Sequence, residues 1–323
     1  MRPATLPTAA HLTLAQGNDL PGAIADRAYG ALLGTFVGDA LGMPFEGATH
    51  QAIPSNVEMV EARRGRGTYT DDTQMMIALA ESLIERDRVE EEHLSRAFQA
   101  AYDPTRGYGR GTRAVLELWR NSVPVAEAAK QVLAGQGSRG NGAAMRVAPV
   151  AVRFHRDPKR LLAEAARSAR VTHAHPVGVD GAVVQAAAIG AAFRDEDVLA
   201  MACAAARTEE LRVGLADVGA LLGEPRDRVE LHARLRTSSD AAGSVCAAIY
   251  SALAHTKFHA AVSFAVSLGG DTDTVAAMTG AISGARLGAN SIPPHWVDAL
   301  EDGDRGRAHV KQLATCLAAL VIE

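Results

Sequence analysis

Two short acidic segments, far apart in the chain, are the strongest chemical signal in the sequence. Residues 70–73 read Thr-Asp-Asp-Thr, and residues 269–274 read Gly-Gly-Asp-Thr-Asp-Thr. Each segment alone is typical of a helix N-cap, where Asp and Thr oxygens accept hydrogen bonds from free amide groups and acids suit the positive helix end. Capping needs one such residue, whereas each segment supplies three or four consecutive oxygen donors. For either segment taken alone, both interpretations stay open.

If the fold brings the two segments together, their four carboxylates will repel each other unless cations neutralise them. Donors that are all oxygen favour a hard ion, Mg²⁺ or Mn²⁺, over zinc. The second segment is not a calcium EF-hand loop, because Val275 and Ala276 stand where that loop has its third ligand and its glycine. The pair therefore predicts a two-metal site, provided that the fold closes the gap between the segments.

A glycine-rich segment is the third signal. Residues 135–142 read Gly-Gln-Gly-Ser-Arg-Gly-Asn-Gly, and a helix is predicted to begin at Ala143. Exposed backbone amides followed by a helix N-terminus can cradle a phosphate group. The spacing matches neither the mononucleotide nor the dinucleotide fingerprint, and no predicted strand precedes it. A flexible connection between two helices is the alternative.

Four single positions have weaker signals. Glu46 follows a glycine-rich helix, and taken alone it is a solvated loop acid. His173 and His175 are two residues apart, which is a poor metal spacing on a helix, so a polar turn after a helix is the default interpretation. Tyr108 lies in a Gly-Tyr-Gly turn at residues 107–109.

Apolar residues recur at three- and four-residue spacing along nearly the whole chain, which predicts helices. The predicted helices span residues 23–41, 71–86, 91–101, 111–121, 125–134, 143–154, 158–170, 177–193, 196–206, 209–221, 226–234, 241–255, 258–267, 273–287, 295–300 and 305–321. Gly30, Gly34 and Gly38 lie on one stripe of the first helix, which predicts another helix packed closely against it. The interpretation is an N-terminal tail at residues 1–22 and one all-α domain at residues 23–323.

Composition excludes several classes of protein. Apolar residues make up 48% of the chain, charged residues 22% and aromatic residues 4%, and the net charge is −4. A nucleic-acid binder would show a basic excess, and no run of eighteen apolar residues is free of charge. Three cysteines cannot form a disulfide framework. The N-terminus lacks the apolar stretch of a signal peptide, so we expect a cytoplasmic protein.

These fragments, in this order, resemble the ADP-ribosylglycohydrolase family. The motifs are Gly-Asp-Ala-Leu-Gly at residues 38–42 with Glu46 after it, the two acidic segments, Gly-Tyr-Gly and the glycine-rich segment. The resemblance covers essentially Ala28 to the C-terminus. Gly-Tyr-Gly and the glycine-rich segment look most like the branch that removes ADP-ribose from serine, rather than the arginine-specific or nitrogenase-regulating branches.

The resemblance implies a single compact orthogonal multi-helix domain with a binuclear Mg²⁺ centre in a central cleft, with Mn²⁺ as an alternative ion. The metal ligands that it implies are Glu46, Thr70, Asp71, Asp72, Asp271, Asp273 and Thr274. The substrate contacts that it implies are Asp71, Tyr108, Gly109, Gln136, Gly137, Ser138, Arg139, Gly140, Asn141, Gly142 and His173. Glu46 matches an acidic residue that reaches the metals in the closed site and moves aside for substrate. The candidates for proton transfer are Glu46, Asp72 and Asp271.

The activity that the resemblance implies is hydrolysis of the C1″ bond of ADP-ribose attached to protein, most like the serine-linked form, with O-acetyl-ADP-ribose and poly-ADP-ribose as further substrates. The alternatives are an arginine-linked N-glycoside, a silent ADP-ribose-binding or structural relative, and a two-metal phosphatase. Expected partners are ADP-ribosylated proteins or peptides and ADP-ribose, with a monomer as the expected state. Leu133 and Arg139 stand where animal members of the serine branch have aromatic residues around adenine; an arginine plane can replace one stacking face.

Overall fold

Helices form the regular structure of the part of the chain that the computed structural model describes, residues 20–54, 56–62, 64–223 and 228–322. Within it there are sixteen α-helices, four 3-10 helices and no β-strand, apart from an isolated bridge between Gly140 and Asp240. The prediction of one all-α domain is confirmed. The α-helices are α1 (Leu20–Gly42), α2 (Asp71–Arg86), α3 (Glu91–Ala101), α4 (Arg110–Arg120), α5 (Val125–Gln131), α6 (Ala148–Phe154), α7 (Pro158–Arg170), α8 (Pro176–Phe193), α9 (Val198–Ala205), α10 (Glu209–Leu222), α11 (Arg228–Arg234), α12 (Ala241–Leu253), α13 (Phe258–Ser267), α14 (Thr272–Leu287), α15 (Pro294–Ala299) and α16 (Arg307–Ile322). The 3-10 helices are Met43–Phe45, His50–Ala52, Pro104–Arg106 and Ala289–Ser291.

The central contact of the fold is between α1 and α14, whose backbones touch through glycine. A Cβ atom added at Gly34 would overlap the carbonyl of Gly280, and one added at Gly30 would overlap the carbonyl of Gly284. The close partner predicted from the glycine stripe is therefore α14. The two helices run antiparallel, because the C-terminal Gly42 of α1 lies against Thr272 at the start of α14. This contact carries the second acidic segment to the C-terminal end of α1.

Two predicted helix boundaries near the glycine-rich segment are wrong. No helix begins at Ala143; residues 142–146 form turns and α6 begins at Ala148. Pro149 explains the difference, because it has no N–H to continue a helix from residue 145 and is tolerated only in a first turn. At the other side, α5 ends at Gln131 rather than residue 134, since Leu133 and Ala134 adopt positive φ angles of 54° and 60°.

The predicted tail of residues 1–22 lies outside the described residues, except that residues 20–22 form the first turn of α1. Helix α8 is the one described helix long and apolar enough to span a membrane, and 89% of its residues are buried in the protein. Its charged residue, Asp180, accepts hydrogen bonds from the backbone amides of Arg207 and Thr208 and from the Thr208 hydroxyl. α8 is therefore a core helix of this domain.

Candidate active site

The N-terminus of α2 is held by a buried carboxylate from α1. Asp39 accepts hydrogen bonds from the backbone amides of Thr70 (3.0 Å) and Thr73 (3.1 Å) and from the Thr73 hydroxyl (2.6 Å). Burial raises the pKa of Asp39 to about 6. Because Asp39 satisfies these amides from another helix, the carboxylates of Asp71 and Asp72 are left for other partners. Sequence reasoning quoted Asp39 inside a motif and gave it no role; its signal is that it is the single charged residue in the stretch 28–42.

The fold brings the two acidic segments together. The Thr274 hydroxyl donates to Asp72 Oδ1 across 3.4 Å. Carboxylate oxygens of Glu46, Asp271 and Asp273 all lie within 4.8 Å of one another. We call the carboxylates of Glu46, Asp71, Asp72, Asp271 and Asp273 the acidic cluster. The four aspartates lie at the N-terminal ends of α2 and α14, and Glu46 follows a 3-10 helix.

Helix capping accounts for only one of the two segments. The Thr70 side chain caps α2 by accepting a hydrogen bond from the Asp72 amide, 3.3 Å away. Asp271 occupies the N-cap position of α14, but its side chain makes no capping hydrogen bond. Its Oδ2 atom instead accepts a hydrogen bond from the Asn141 side chain at 2.8 Å. Asp271 therefore directs its carboxylate to the cleft rather than to its own helix, whereas Asp273 Oδ1 accepts a hydrogen bond from the Thr274 amide at 2.9 Å.

The acidic cluster holds more negative charge than its surroundings compensate. Burial, followed by the charges of Asp39 and its neighbours, raises the pKa of Asp71 to about 8. Burial and like charges raise the pKa of Asp72 and of Asp273 well above the usual range. Asp72 Oδ2 is buried and has no hydrogen-bond partner among the described residues. This donor set, all oxygen and short of positive partners, fits a hard divalent cation.

Glu46 reaches the acidic cluster from a loop that is fastened to the second acidic segment. It follows the 3-10 helix Met43–Phe45 directly. The Gly47 amide donates to the Gly270 carbonyl at 2.8 Å, and the Gly270 amide donates to the Ala48 carbonyl at 2.9 Å. Glu46 is exposed, whereas Asp273 is buried. A movement of Glu46 that keeps these two hydrogen bonds must come from its side chain.

A cavity of about 480 Å³ extends from the acidic cluster. Most of the predicted site residues line it: Glu46, Thr70, Asp71, Gly109, Ser138, Arg139, Gly140, Asn141, Gly142, His173, Asp271, Asp273 and Thr274. Leu133 lies at the same cavity. The acidic cluster and the glycine-rich segment therefore face one cleft.

Four predicted site residues do not line this cavity. Asp72 is buried behind it, and Gln136 is exposed elsewhere. Tyr108 is 3% exposed, and its hydroxyl donates a hydrogen bond to Gln74 Oε1 at 2.8 Å. Burial raises the pKa of the Tyr108 hydroxyl above its usual value. Gly137, with φ of 72°, packs where a Cβ would meet the backbone of His175 at 2.7 Å. Tyr108 and Gly137 are therefore packed inside the protein, whereas Asp72 stays beside the second acidic segment through its contact with Thr274.

Sequence reasoning missed the segment that joins the two halves of the cleft, residues 237–241. The Asn141 amide donates to the Ser239 carbonyl, and the Ala241 amide donates to the Arg139 carbonyl, each at 3.0 Å. On its other side, the Asp271 amide donates to the Thr237 carbonyl at 2.6 Å. Residues 238–240 also line the cavity. Their signal was Thr-Ser-Ser-Asp before a predicted helix, which is indistinguishable from an ordinary N-cap.

The predicted helix N-terminus behind the glycine-rich segment is absent, which is a correction to the phosphate site. The Ala144 and Met145 amides turn back to the Asn141 carbonyl, at 2.8 and 3.0 Å. An anion bound at this segment would therefore contact the loop backbone and nearby side chains rather than a helix N-terminus. One of these is His173, whose pKa is lowered to about 3 by burial and then by Arg146, so the ring is neutral.

The fold and this cleft define a class of protein, an all-α domain in which two helix N-termini present carboxylates to a pocket that is also lined by a glycine-rich loop. The ADP-ribosylglycohydrolase family model matches residues 20–322. The chain belongs to the ADP-ribosylglycohydrolase family, as the sequence motifs predicted.

Relatives agree with this assignment. The chain is 32% identical to ADP-ribosylhydrolase ARH3 of Mus musculus, over 85% of this chain and 87% of that protein. It is 27% identical to ADP-ribosylarginine hydrolase Tri1 of Pseudomonas putida (strain GB-1), over 84% of this chain and 74% of that protein. A solved structure titled ADP-ribosylglycohydrolase-related protein complex is 29% identical, with a TM-score of 0.77 over 93% of this chain and 99% of that one.

Proposed function

We propose that this protein is a Mg²⁺-dependent hydrolase that cleaves the C1″ glycosidic bond of ADP-ribose linked to serine in proteins. The observation that carries the proposal is the direct contact between the two halves of the cleft. Asn141 of the glycine-rich segment bonds Asp271 of the acidic cluster at 2.8 Å. A diphosphate on the loop amides and a ribose at the carboxylates would then be neighbours, as they are in ADP-ribose.

The acidic cluster fits two divalent ions, with Mg²⁺ as the expected ion and Mn²⁺ as an alternative. The residues that would hold them are Glu46, Thr70, Asp71, Asp72, Asp271, Asp273 and Thr274. When bound, such ions supply positive charge that orients the ribose hydroxyls and polarises a water molecule.

The residues of this chain then perform the remaining tasks. The loop at residues 138–142 holds the diphosphate and fixes the distance to C1″, so that positioning contributes much of the rate. Breaking the C1″–O bond leaves negative charge on the serine oxygen, which takes up a proton, while water gives one up. Of the carboxylates in the acidic cluster, Glu46 suits this exchange best, because it is exposed and its side chain can turn without moving the backbone.

Glu46→Gln tests this role. The amide keeps the shape and loses the charge, so we expect turnover to fall by about 100-fold or more, while ADP-ribose still binds. Turnover at the parental rate would remove Glu46 from the reaction. Loss of ADP-ribose binding would instead show that its charge holds the site together.

The names of the relatives support ADP-ribosyl hydrolysis and leave two linkages to distinguish. Peptides that carry one ADP-ribose on serine or on arginine are incubated with the protein and Mg²⁺, and released ADP-ribose is measured by mass spectrometry. We expect release from the serine peptide and its loss in Asp273→Asn, with the exposed Asp304→Asn as the matched control. Release from the arginine peptide alone contradicts the linkage. Binding without release indicates a silent relative, and free phosphate indicates a phosphatase.

A further inference from the structure

A buried arginine lies beneath the glycine-rich segment and ties it to the turn between α7 and α8. Arg146 is fully buried, and its Nη1 donates to the Gly142 carbonyl at 2.7 Å. Its Nη2 donates to the Ser168 carbonyl at 3.1 Å and to the Thr172 hydroxyl at 2.8 Å. The guanidinium lies 4.7 Å from the ring centroid of Phe98. An arginine so placed has only donors to offer, so every partner must accept.

The Thr172 hydroxyl connects Arg146 to His173, which lines the cleft. Its oxygen accepts from Arg146, and it lies 2.8 Å from Nδ1 of His173. Thr172 is 1% exposed, so water does not compete for its proton. Among the described residues the Thr172 hydroxyl has one acceptor within hydrogen-bond distance, His173 Nδ1. A buried hydroxyl that has one available acceptor donates to it, because leaving the proton unpaired costs about 1–3 kcal/mol.

A neutral imidazole that accepts at Nδ1 has its proton on Nε2. The Nε2 edge of His173 faces Gly142: a Cβ added at Gly142 would lie 3.6 Å from Nε2 and 3.4 Å from Cε1. His173 lines the cavity, and Nε2 has no hydrogen-bond partner among the described residues. The free N–H therefore lies at the cavity wall beside Gly142 of the glycine-rich segment.

We propose that Arg146 and Thr172 are positioning residues that fix His173 in the Nε2–H tautomer, so that this ring donates a neutral hydrogen bond to a phosphoryl oxygen of the ligand. This inference rests on the proposed function for the identity of the ligand. It assigns the anion site a side-chain donor in place of the missing helix N-terminus. The same arginine holds the Gly142 carbonyl, so the loop and the ring keep a fixed separation.

The tautomer of His173 is measured by long-range ¹H–¹⁵N NMR on the full chain labelled at histidine, without ligand, with the signals assigned by their loss in His173→Gln. We expect His173 to show a protonated Nε2 and an unprotonated, hydrogen-bonded Nδ1 at neutral pH. A protonated Nδ1, or a doubly protonated ring, would overturn the proposal. This result does not depend on catalysis, so it stands or fails separately from the peptide assay of the proposed function.

Three threonine variants connect the tautomer to binding. Thr172→Val removes the hydroxyl, so His173 should become a mixture of tautomers and ADP-ribose binding should weaken by about tenfold, the value of one modest hydrogen bond. Thr172→Ser should restore both the spectrum and the affinity. Thr279→Val, which removes another buried hydroxyl, should change neither. A Thr172→Val protein with the parental spectrum and parental ADP-ribose affinity by calorimetry would show that the hydroxyl positions nothing.

Discussion

Divalent cations that bind the acidic cluster should stabilise this protein by an amount that grows with the ratio of their concentration to the Kd. In the metal-free protein, burial and like charges raise the pKa values of Asp71, Asp72 and Asp273, so their ionised forms oppose folding. An ion that binds only the folded state adds about 2.7 kcal/mol when its concentration is about 100 times the Kd. Unfolding increases the entropy by about 2.1 cal/mol/K per residue. The shift in Tm is the added free energy divided by this entropy, so for 323 residues one such ion raises Tm by about 4 °C.

The assay is thermal unfolding of chelator-treated protein across a series of Mg²⁺ concentrations. Tm should rise steadily with the logarithm of concentration above the Kd. Asp273→Asn removes one ligand from the cluster and should abolish the rise, whereas Asp304→Asn removes an exposed carboxylate elsewhere and should leave the rise intact. An equal response in Asp273→Asn and the parent, or no response in the parent, would refute the assignment of the acidic cluster as a cation site.

Three further predictions concern pH, the cleft and the core. The pKa of Asp71 in the folded protein, about 8, exceeds its usual value of 3.8, so between these pH values the folded state holds a proton that the unfolded state has released. The stability of the metal-free protein should therefore fall as pH rises from about 4 toward 8. Equal stability at pH 5 and pH 8 in urea unfolding would disagree with this. Gly142→Ala places a methyl group 3.6 Å from His173 Nε2 and should weaken ADP-ribose binding by about tenfold in calorimetry with Tm nearly unchanged; undiminished affinity would remove this edge from the site. Gly34→Ala forces a collision with α14 and should lower the free energy of unfolding in urea by more than about 2 kcal/mol. Gly22→Ala should be neutral, because a Cβ added at Gly22 meets no atom of a neighbouring element within 4 Å. Similar losses of stability in both variants would contradict the close helix contact.

Helix boundaries could be predicted where a local residue determines them. α2 and α7 have the predicted bounds at both ends, and the side chains of Thr70 and Asp157 supply the caps that begin them. The prediction failed at Ala143. The apolar periodicity continues through Pro149, but Pro149 has no N–H, so the helical hydrogen bonds cannot continue through it. It failed again at Leu133, because a left-handed turn without glycine at that position has no clear sequence pattern.

The acidic segments could be found from the sequence because each is dense in donors over a few residues. The contacts that complete the cleft could not, because they join residues distant in the chain. Asp39 binds amides at Thr70 and Thr73, and the Asn141–Asp271 bond depends on how α14 packs against α1. Such contacts follow from tertiary packing, for which the glycine stripe of α1 was the one local signal.

The central claim is that one cleft binds the ADP-ribose unit and the cations side by side. A crystal structure with ADP-ribose and Mn²⁺, with the ions located by anomalous scattering, tests it most directly. The account predicts anomalous peaks at about 2.0–2.4 Å from carboxylate oxygens of Asp71, Asp271 and Asp273, the ribose hydroxyls beside them, and the diphosphate over residues 138–142. Ions at another site, or ADP-ribose bound outside the cavity that extends from the acidic cluster, would contradict it.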